Sequence, residues 1–481
     1  MTMPVVDAER PAPWRWQLAV ALVALAGLVA LSVSYIYGKG LNGPPIRADG
    51  FGYHAYLPAL LIHHDATFVA FAQSFPDGAL PQGSGIRWVE DYGAFLNQYP
   101  IGTALLAAPF FLMADLYVVI TGGERSGLSQ PYQVANMVAG STYLIFGTLI
   151  VWRILAGFFA ASVAAWTLVV VIFGTNVFHY ASYDASFSHI YSWFLVAAYL
   201  LALIRYHEGP GRRALPFLAG VLLGLIVITR VPNGVVGVLA LAAWLDARRA
   251  EVTRRRSLGD LATFAVGLGI ALLPLFLYWS AATGSLIVYS YGAQGFAWHD
   301  PALTAFLFSV SKGLLFWAPL LFLAIPGFFV LPARLRPWFS VSAPIAVVLQ
   351  IYLCASWRPW DFGGSFGSRP FVEFMPILAL PIAATLAALR PGRLRVAVRV
   401  LVVLLVGLNL FLMHAYWRRF IPFSGTTVAV LADLPRKHLL LLGFPGAAED
   451  RSGERARKRG KRPGGEAGRE RPAPPEVSRE P

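Results

Sequence analysis

The sequence predicts an all-α polytopic membrane protein of about eleven transmembrane helices, within a range of roughly 10–13, with a long first external loop. Three observations carry that prediction. Of the 481 residues, 57% are hydrophobic and only 13% are charged, and the mean hydropathy is +0.59. Apolar runs of about twenty residues recur from end to end, each long enough to cross a hydrocarbon core of roughly 30 Å as a helix. The formal charge of +14 is gathered in short arginine-rich stretches between those runs. That pattern is a topology signal and not a nucleic-acid-binding surface.

The first apolar segment, Gln17 to Tyr37, is too long and too well followed by others to be a cleaved signal peptide, and no small-x-small site follows it. Arg10 and Arg15 place residues 1–16 in the cytoplasm, so the loop 39–99, with juxtamembrane helices, lies outside. Residues 100–121 look like a span, yet a full crossing would invert every later arginine loop. A helix at the outer face, or re-entering from it, is expected there. Arg153, Arg205 to Arg213, Arg248 to Arg256, Arg334 to Arg336 and Arg390 to Arg399 then set spans near 132–151, 155–174 and 187–204. Between Arg213 and Arg248 the apolar stretch is interrupted by Thr229-Arg-Val-Pro-Asn-Gly234. Pro232 breaks the helical ladder and Gly234 eases a turn, so two short helices should return the chain to the cytoplasm with Arg230 at an outward tip. Spans near 261–280, 312–331, 339–356, 372–389 and 397–415 complete the transmembrane domain, 17–415. Residues 416–446 should stay near the membrane. The tail, 447–481, is rich in Pro, Gly, Glu and Arg and should be disordered. Parity puts it outside, whereas its charge favours the cytoplasm and anionic lipid.

The single cysteine, Cys354, lies inside an apolar run, so no intramolecular disulfide forms. Neither a Walker loop nor a dinucleotide fingerprint nor zinc-ligand spacing is present, which argues against ATP-driven transport by this chain alone.

With this topology the ionisable residues that are expensive in a membrane converge outside: Asp49, His54, Glu90, Asp91, Asp184, His189, Arg230, His299, Asp300, Lys312, Asp361 and Arg369. Asp49 stands just after the first span between Gly50, Gly52 and aromatic rings, where the backbone can turn sharply and hold a carboxylate at the membrane surface. It reads as a catalytic or metal-holding carboxylate, or more plainly as the cap of a short surface helix. Glu90, Asp91 and Asp300 read more simply as capping or surface groups. A general base must be a carboxylate within reach of a nucleophile. A departing phosphate needs the compact charge or paired donors of Lys and Arg, here Arg230, Lys312 and Arg369. Trp357-Arg-Pro-Trp-Asp-Phe-Gly-Gly-Ser-Phe-Gly-Ser-Arg-Pro-Phe-Val-Glu373 can expose backbone N–H groups to an anion. Trp357, Trp360 and Phe366 within it serve as an interfacial belt or as a platform for a sugar.

The order of these stretches resembles the GT-C superfamily of integral-membrane glycosyltransferases, especially the branch with protein O-mannosyltransferases and aminoarabinose transferases. More closely, it resembles a bacterial group within that branch. The matching stretches are Ala48-Asp-Gly-Phe-Gly-Tyr-His-Ala-Tyr-Leu-Pro58, Asn97-Gln-Tyr-Pro-Ile-Gly102, Gly174-Thr-Asn176, Ser309-Val-Ser-Lys-Gly-Leu-Leu-Phe-Trp317 and Gly363-Gly-Ser-Phe-Gly-Ser-Arg369. The resemblance implies a polyprenyl-phosphate sugar donor, Asp49 as the base or acceptor-orienting carboxylate, and Asp184 as the second acidic residue. A divalent cation, Mg or Mn, would be held by Asp49 and Asp184 if one is used. A single Asp stands where many members have an acidic pair, and no large soluble C-terminal domain follows. His54, His189, Trp360 and Asp361 are further candidate substrate contacts. The expected activity is transfer of a sugar to a lipid, glycan or protein acceptor at the outer face of the cytoplasmic membrane. The alternative is a secondary transporter or flippase for lipid-linked sugars, which would show an internal repeat and paired broken helices.

Overall fold

The computed structural model describes residues 14–209, 214–250 and 254–443. Its helices form where the apolar runs lie, because an apolar chain in lipid satisfies its backbone polar groups only by closing them on itself. Among the described residues, eight helices are long and apolar enough to cross a membrane, and four shorter apolar helices of 10–17 residues accompany them. Among the described residues, β-structure is confined to two small antiparallel pairs: Ile86–Val89 with Ala94–Asn97, and Gly295–Phe296 with Trp357–Arg358.

The stretch 100–121 is one continuous helix, Gly102–Thr121, of sufficient length and apolarity to cross. It runs back along the first half of the Gln130–Ala156 helix. The Tyr143 hydroxyl reaches the Leu106 carbonyl at 2.8 Å, and the Tyr132 hydroxyl reaches Asp115 Oδ1 at 2.6 Å. Arg125 closes the turn by clasping both oxygens of Asp115.

The expected interruption at 229–234 is present. Ala214–Thr229 ends there, Val231–Val236 forms a 3-10 turn, and Gly237–Ala250 leads away. The chain doubles back: Asp246 near the end of the second helix reaches His207 at 2.6 Å, while Asp260 meets Tyr206 at 3.1 Å. Ala214–Thr229 packs so tightly on Arg254–Thr283 that a Cβ at Gly220 would collide with the Phe264 carbonyl, and one at Gly267 with that of Phe217. Small residues allow such backbone approach, the usual basis of helix association in lipid. The region expected as a single span near 312–331 is instead divided into Leu314–Trp317, Pro319–Leu323 and Ala324–Phe329. Pro319 and Pro326 lack the N–H donors that a continuous ladder needs.

The Ser188–Glu208 helix separates two ends of the bundle. His189 begins it and His207 nearly completes it, roughly 30 Å apart at the helical rise. The break at Arg230 and the 3-10 turn Arg369–Phe374, which feeds Met375–Ala388, join the His189 end. Residues 428–443 belong to a separate small unit. Its helices Val428–Ala432 and Leu434–Leu441 flank Asp433, whose carboxylate pairs with Arg436 at 2.7 Å and Lys437 at 3.6 Å. The structural division thus falls after Thr427. The expected disordered tail lies outside the described residues, as do residues 1–13.

Candidate active site

Asp49 occupies the first turn of the Ala48–Leu61 helix, a place where the positive end of the helix dipole favours a carboxylate. The N-cap position is Arg47, and it makes no side-chain capping hydrogen bond. Gly50 and Gly52 bring this turn against its neighbours: a Cβ at Gly50 would strike Ser186, and one at Gly52 would strike Tyr99. The carboxylate is therefore pressed into the protein while retaining 22% of its accessibility. Its Oδ2 accepts Arg369 Nη1 at 2.8 Å. Arg369 emerges from the 357–368 loop, which reverses at Gly363 and Gly367, both at positive φ. Its guanidinium lies over the Phe187 ring, 5.7 Å from the centroid.

Asp49, Arg369 and Arg230 line one cavity of roughly 490 Å³. Tyr53, Tyr99, Gln98 and Gln294 add polar groups, while Trp279, Tyr289, Tyr291, Phe296, Trp357 and Phe362 make an aromatic wall. The Tyr53 ring lies tilted against that of Tyr99 with centroids 4.5 Å apart, and its hydroxyl accepts the Ser188 hydroxyl at 3.0 Å. Burial holds the Tyr99 hydroxyl well above its ordinary pKa, and the neighbouring Asp49 charge pushes the same way. Both phenols thus face the cavity protonated. Arg369 Nε is buried without a hydrogen-bond partner.

Asp184 is placed behind this cavity and does not line it. Its Oδ1 meets Arg47 Nη2 at 2.5 Å and its Oδ2 meets His179 Nε2 at 3.0 Å. The indole N–H of Trp417 donates to His179 Nδ1 at 3.1 Å. Because an indole is only a donor, Nδ1 must carry a lone pair and Nε2 the hydrogen, which makes His179 a neutral donor to Asp184. Burial lowers the His179 pKa, against the pull of Asp184, in agreement with that tautomer. For Asp184, burial alone would raise the pKa, but the Arg47 charge and the His179 hydrogen bond outweigh it and leave it lowered.

Lys312, expected on the donor phosphate, is turned elsewhere. Its ammonium donates to the Ser365 carbonyl and, at 2.7 Å, to the Phe423 carbonyl, which ties two loops together. Burial pulls its pKa down to about 8. With two of its three donors on backbone carbonyls, it does not line the cavity. Nor do the four further candidates. His54 is buried under Gly102–Thr121, with Nε2 on the Gly127 carbonyl at 2.9 Å and its ring against Phe111. His189 is buried on Glu373 at 3.1 Å. Asp361 accepts the Gly363 N–H at 3.2 Å and the Ser424 hydroxyl at 3.4 Å, so it shapes its loop, and Trp360 beside it is half-buried.

The structure adds residues that the sequence reading had not singled out. Arg47 is two positions before Asp49, and Glu373 is four after Arg369, a helical spacing that was legible. His179 and Tyr99 carry no such signal, since their roles depend on chain segments far away in sequence. Among the described residues no group of three or more His, Cys, Asp or Glu comes together. Asp49 and Asp184 each face a guanidinium and not one another. This donor set does not fit a divalent cation.

In fold, the chain is similar to ArnT from Cupriavidus metallidurans, solved bound to undecaprenyl phosphate. The match covers 91% of this chain and 74% of that one, with a TM-score of 0.53 at 15% identity. It is also similar to the archaeal oligosaccharyltransferase AglB from Archaeoglobus fulgidus, solved with an inhibitory peptide and a dolichol-phosphate. That match covers 87% of this chain and 57% of the other, with a TM-score of 0.49 at 13% identity. No family model and no curated protein sequence matches the chain. The fold is that of the GT-C membrane proteins.

Proposed function

We propose that this chain, with the GT-C fold as its scaffold, is a membrane glycosyltransferase taking a sugar from a polyprenyl-phosphate-linked donor. The observation that carries the reading is one cavity lined by a single carboxylate, Asp49, and two arginines, Arg369 and Arg230. The acceptor hydroxyl attacks the anomeric carbon, the bond from that carbon to the phosphate oxygen breaks, and the electron pair leaves with the phosphate. Asp49 takes the acceptor proton. Its Oδ2 is engaged by Arg369, and the Tyr99 hydroxyl neighbours the same carboxylate, so the acceptor hydroxyl approaches it from the cavity side. As Asp49 becomes neutral, Arg369 loses its counter-charge just when negative charge develops on the leaving group, so its attraction is redirected to the phosphate. Arg230 supplies a second cation from the break between Ala214–Thr229 and Gly237–Ala250. The guanidinium groups of both arginines are largely buried, which strengthens such contacts over those in bulk water.

The reaction is assigned to the outer face of the cytoplasmic membrane. Arg205, near the end of Ser188–Glu208, and the helix ends at Ala250 and Arg254 fall at the end of the bundle away from His189 and Arg230, and arginines favour the cytoplasm. The carboxylate and arginines of the cavity, Asp49, Arg230 and Arg369, lie at one end of the bundle, whereas a transporter places its substrate site near the middle. The test is mass spectrometry of lipid-linked sugars and envelope glycans from cells with and without the protein. Loss should cause one polyprenyl-linked sugar to accumulate and one envelope glycan to lose that sugar. Unchanged pools, with movement of lipid-linked sugar across reconstituted vesicles, would instead establish a flippase.

A further inference from the structure

Glu373 lies four residues beyond Arg369 on the same 3-10 turn, is fully buried, and does not line the cavity. Three donors converge on its Oε1: His189 Nδ1 at 3.1 Å, Arg230 Nε at 3.4 Å and the Asn233 amide nitrogen at 3.4 Å. They come from two places, the start of Ser188–Glu208 and the break between Ala214–Thr229 and Gly237–Ala250. The other oxygen, Oε2, and Arg230 Nε are buried without a hydrogen-bond partner, so the contact between the two side chains is an ion pair and not an aligned hydrogen bond. A carboxylate so placed is costly unless cations hold it, and a buried ion pair contributes little net stability by itself. Its value must therefore be sought in what it orients. Of its three partners, only Arg230 lines the cavity.

We propose that Glu373 is a positioning residue that pins Arg230 at Nε, so that the two terminal guanidinium nitrogens are presented to the phosphate of the lipid-linked donor. The inference rests on the reading of this cavity as the donor-phosphate site. An arginine side chain has many rotamers, and holding it before the donor arrives removes an entropy cost from binding. Phe362, whose ring centre lies 5.7 Å from the guanidinium carbon, limits the same group from another side. One helical turn thus serves both cavity cations: Arg369 belongs to it, and Glu373 reaches out from it to Arg230.

The experiment titrates the polyprenyl-linked donor against reconstituted wild type, Glu373→Gln, Arg230→Ala and the double variant, with acceptor saturating. Glu373→Gln should raise the donor KM about tenfold, the effect of losing one charge-assisted contact, with a smaller change in kcat. In the Arg230→Ala background it should add little. Such non-additivity is the mark of action through Arg230, which a general structural role would not produce. A wild-type KM for Glu373→Gln, or effects of the two substitutions that multiply in full, overturns the proposal. A wild-type KM for Arg230→Ala overturns instead the donor-phosphate reading beneath it. Should Glu373→Gln fail to fold, Arg230→Lys asks the same question, because it keeps the cation but loses the Nε that Glu373 holds. Its donor KM should rise likewise, and a wild-type value would refute the positioning role.

Discussion

Asp49 and Arg369 form the pair on which the proposed reaction turns, and the two should fail in different ways. Asp49→Asn removes the proton acceptor while leaving the volume and the packing of Gly50 and Gly52 intact. Transfer should be abolished with a nearly unchanged melting temperature, and full activity in this variant would remove Asp49 from the mechanism. Arg369→Ala withdraws a charge-assisted contact worth about 1.5–3 kcal/mol, or roughly ten- to a hundredfold in kcat/KM for the donor. Arg369→Lys should recover only part of this, because lysine keeps the charge without the forked donor geometry. His54 makes a separate prediction about stability. Burial lowers its pKa from 6.5 to about 4, although the Gly127 carbonyl pulls the other way. The unfolded chain then binds a proton at higher pH than the folded one. The stability that follows from keeping His54 neutral is fully present above about 6.5 and is lost as pH falls toward 4, amounting to about 3 kcal/mol over that interval. Thermal unfolding of wild type and His54→Gln at pH 7 and pH 4.5 should show a smaller acid-induced drop in the variant. Equal drops would mean that His54 is not the titrating group.

At the scale of elements, Ala214–Thr229 and Arg254–Thr283 associate by close backbone approach. Lipid offers no hydrophobic drive to bring two helices together, so this contact depends on backbone approach at Gly220 and Gly267. Even Gly220→Ala would push a methyl group into the Phe264 carbonyl. It should cost about 1–3 kcal/mol and lower the melting temperature in detergent, leaving the donor KM of the surviving folded enzyme near wild type. An unchanged melting temperature would show that the two helices can separate freely. The broken pair was legible because Pro232 and Gly234 are local signals whose effect does not depend on distant residues. The segment 312–331 was less so. Its prolines were visible, but hydrophobicity alone could not say whether they kink a helix or divide it.

For the whole molecule, the decisive issue is which end of the bundle faces outward. In a Cys354→Ser background, cysteines placed at the exposed Ser285 and Gly364 should react with a membrane-impermeant thiol reagent in intact cells, whereas one at the exposed Gly157 should react only after the membrane is opened. Labelling in the reverse sense would put the cavity on the cytoplasmic side, and the proposed use of an outward-facing donor would fall with it.

Composition and the spacing of apolar runs determined that this chain is a helical membrane protein, and the order of polar stretches pointed to the GT-C fold. Both are properties read along the chain: the length of an apolar run must match the bilayer, and a motif keeps its place between two runs. Asp49, Arg230 and Arg369 could be chosen in the same manner, since a charged residue beside a span must have a reason to be there. What those residues touch was not determined locally. Lys312 and Arg369 are both cations at the end of an apolar segment, yet one is spent on the carbonyls of Ser365 and Phe423 and the other reaches Asp49. Asp184 is bound by Arg47 and His179 away from the cavity, and Glu373 gathers partners from segments more than a hundred residues distant. Only the tertiary structure could decide these pairings, because a charge in low dielectric takes whichever counter-charge or dipole the packing of remote helices brings within about 3–4 Å.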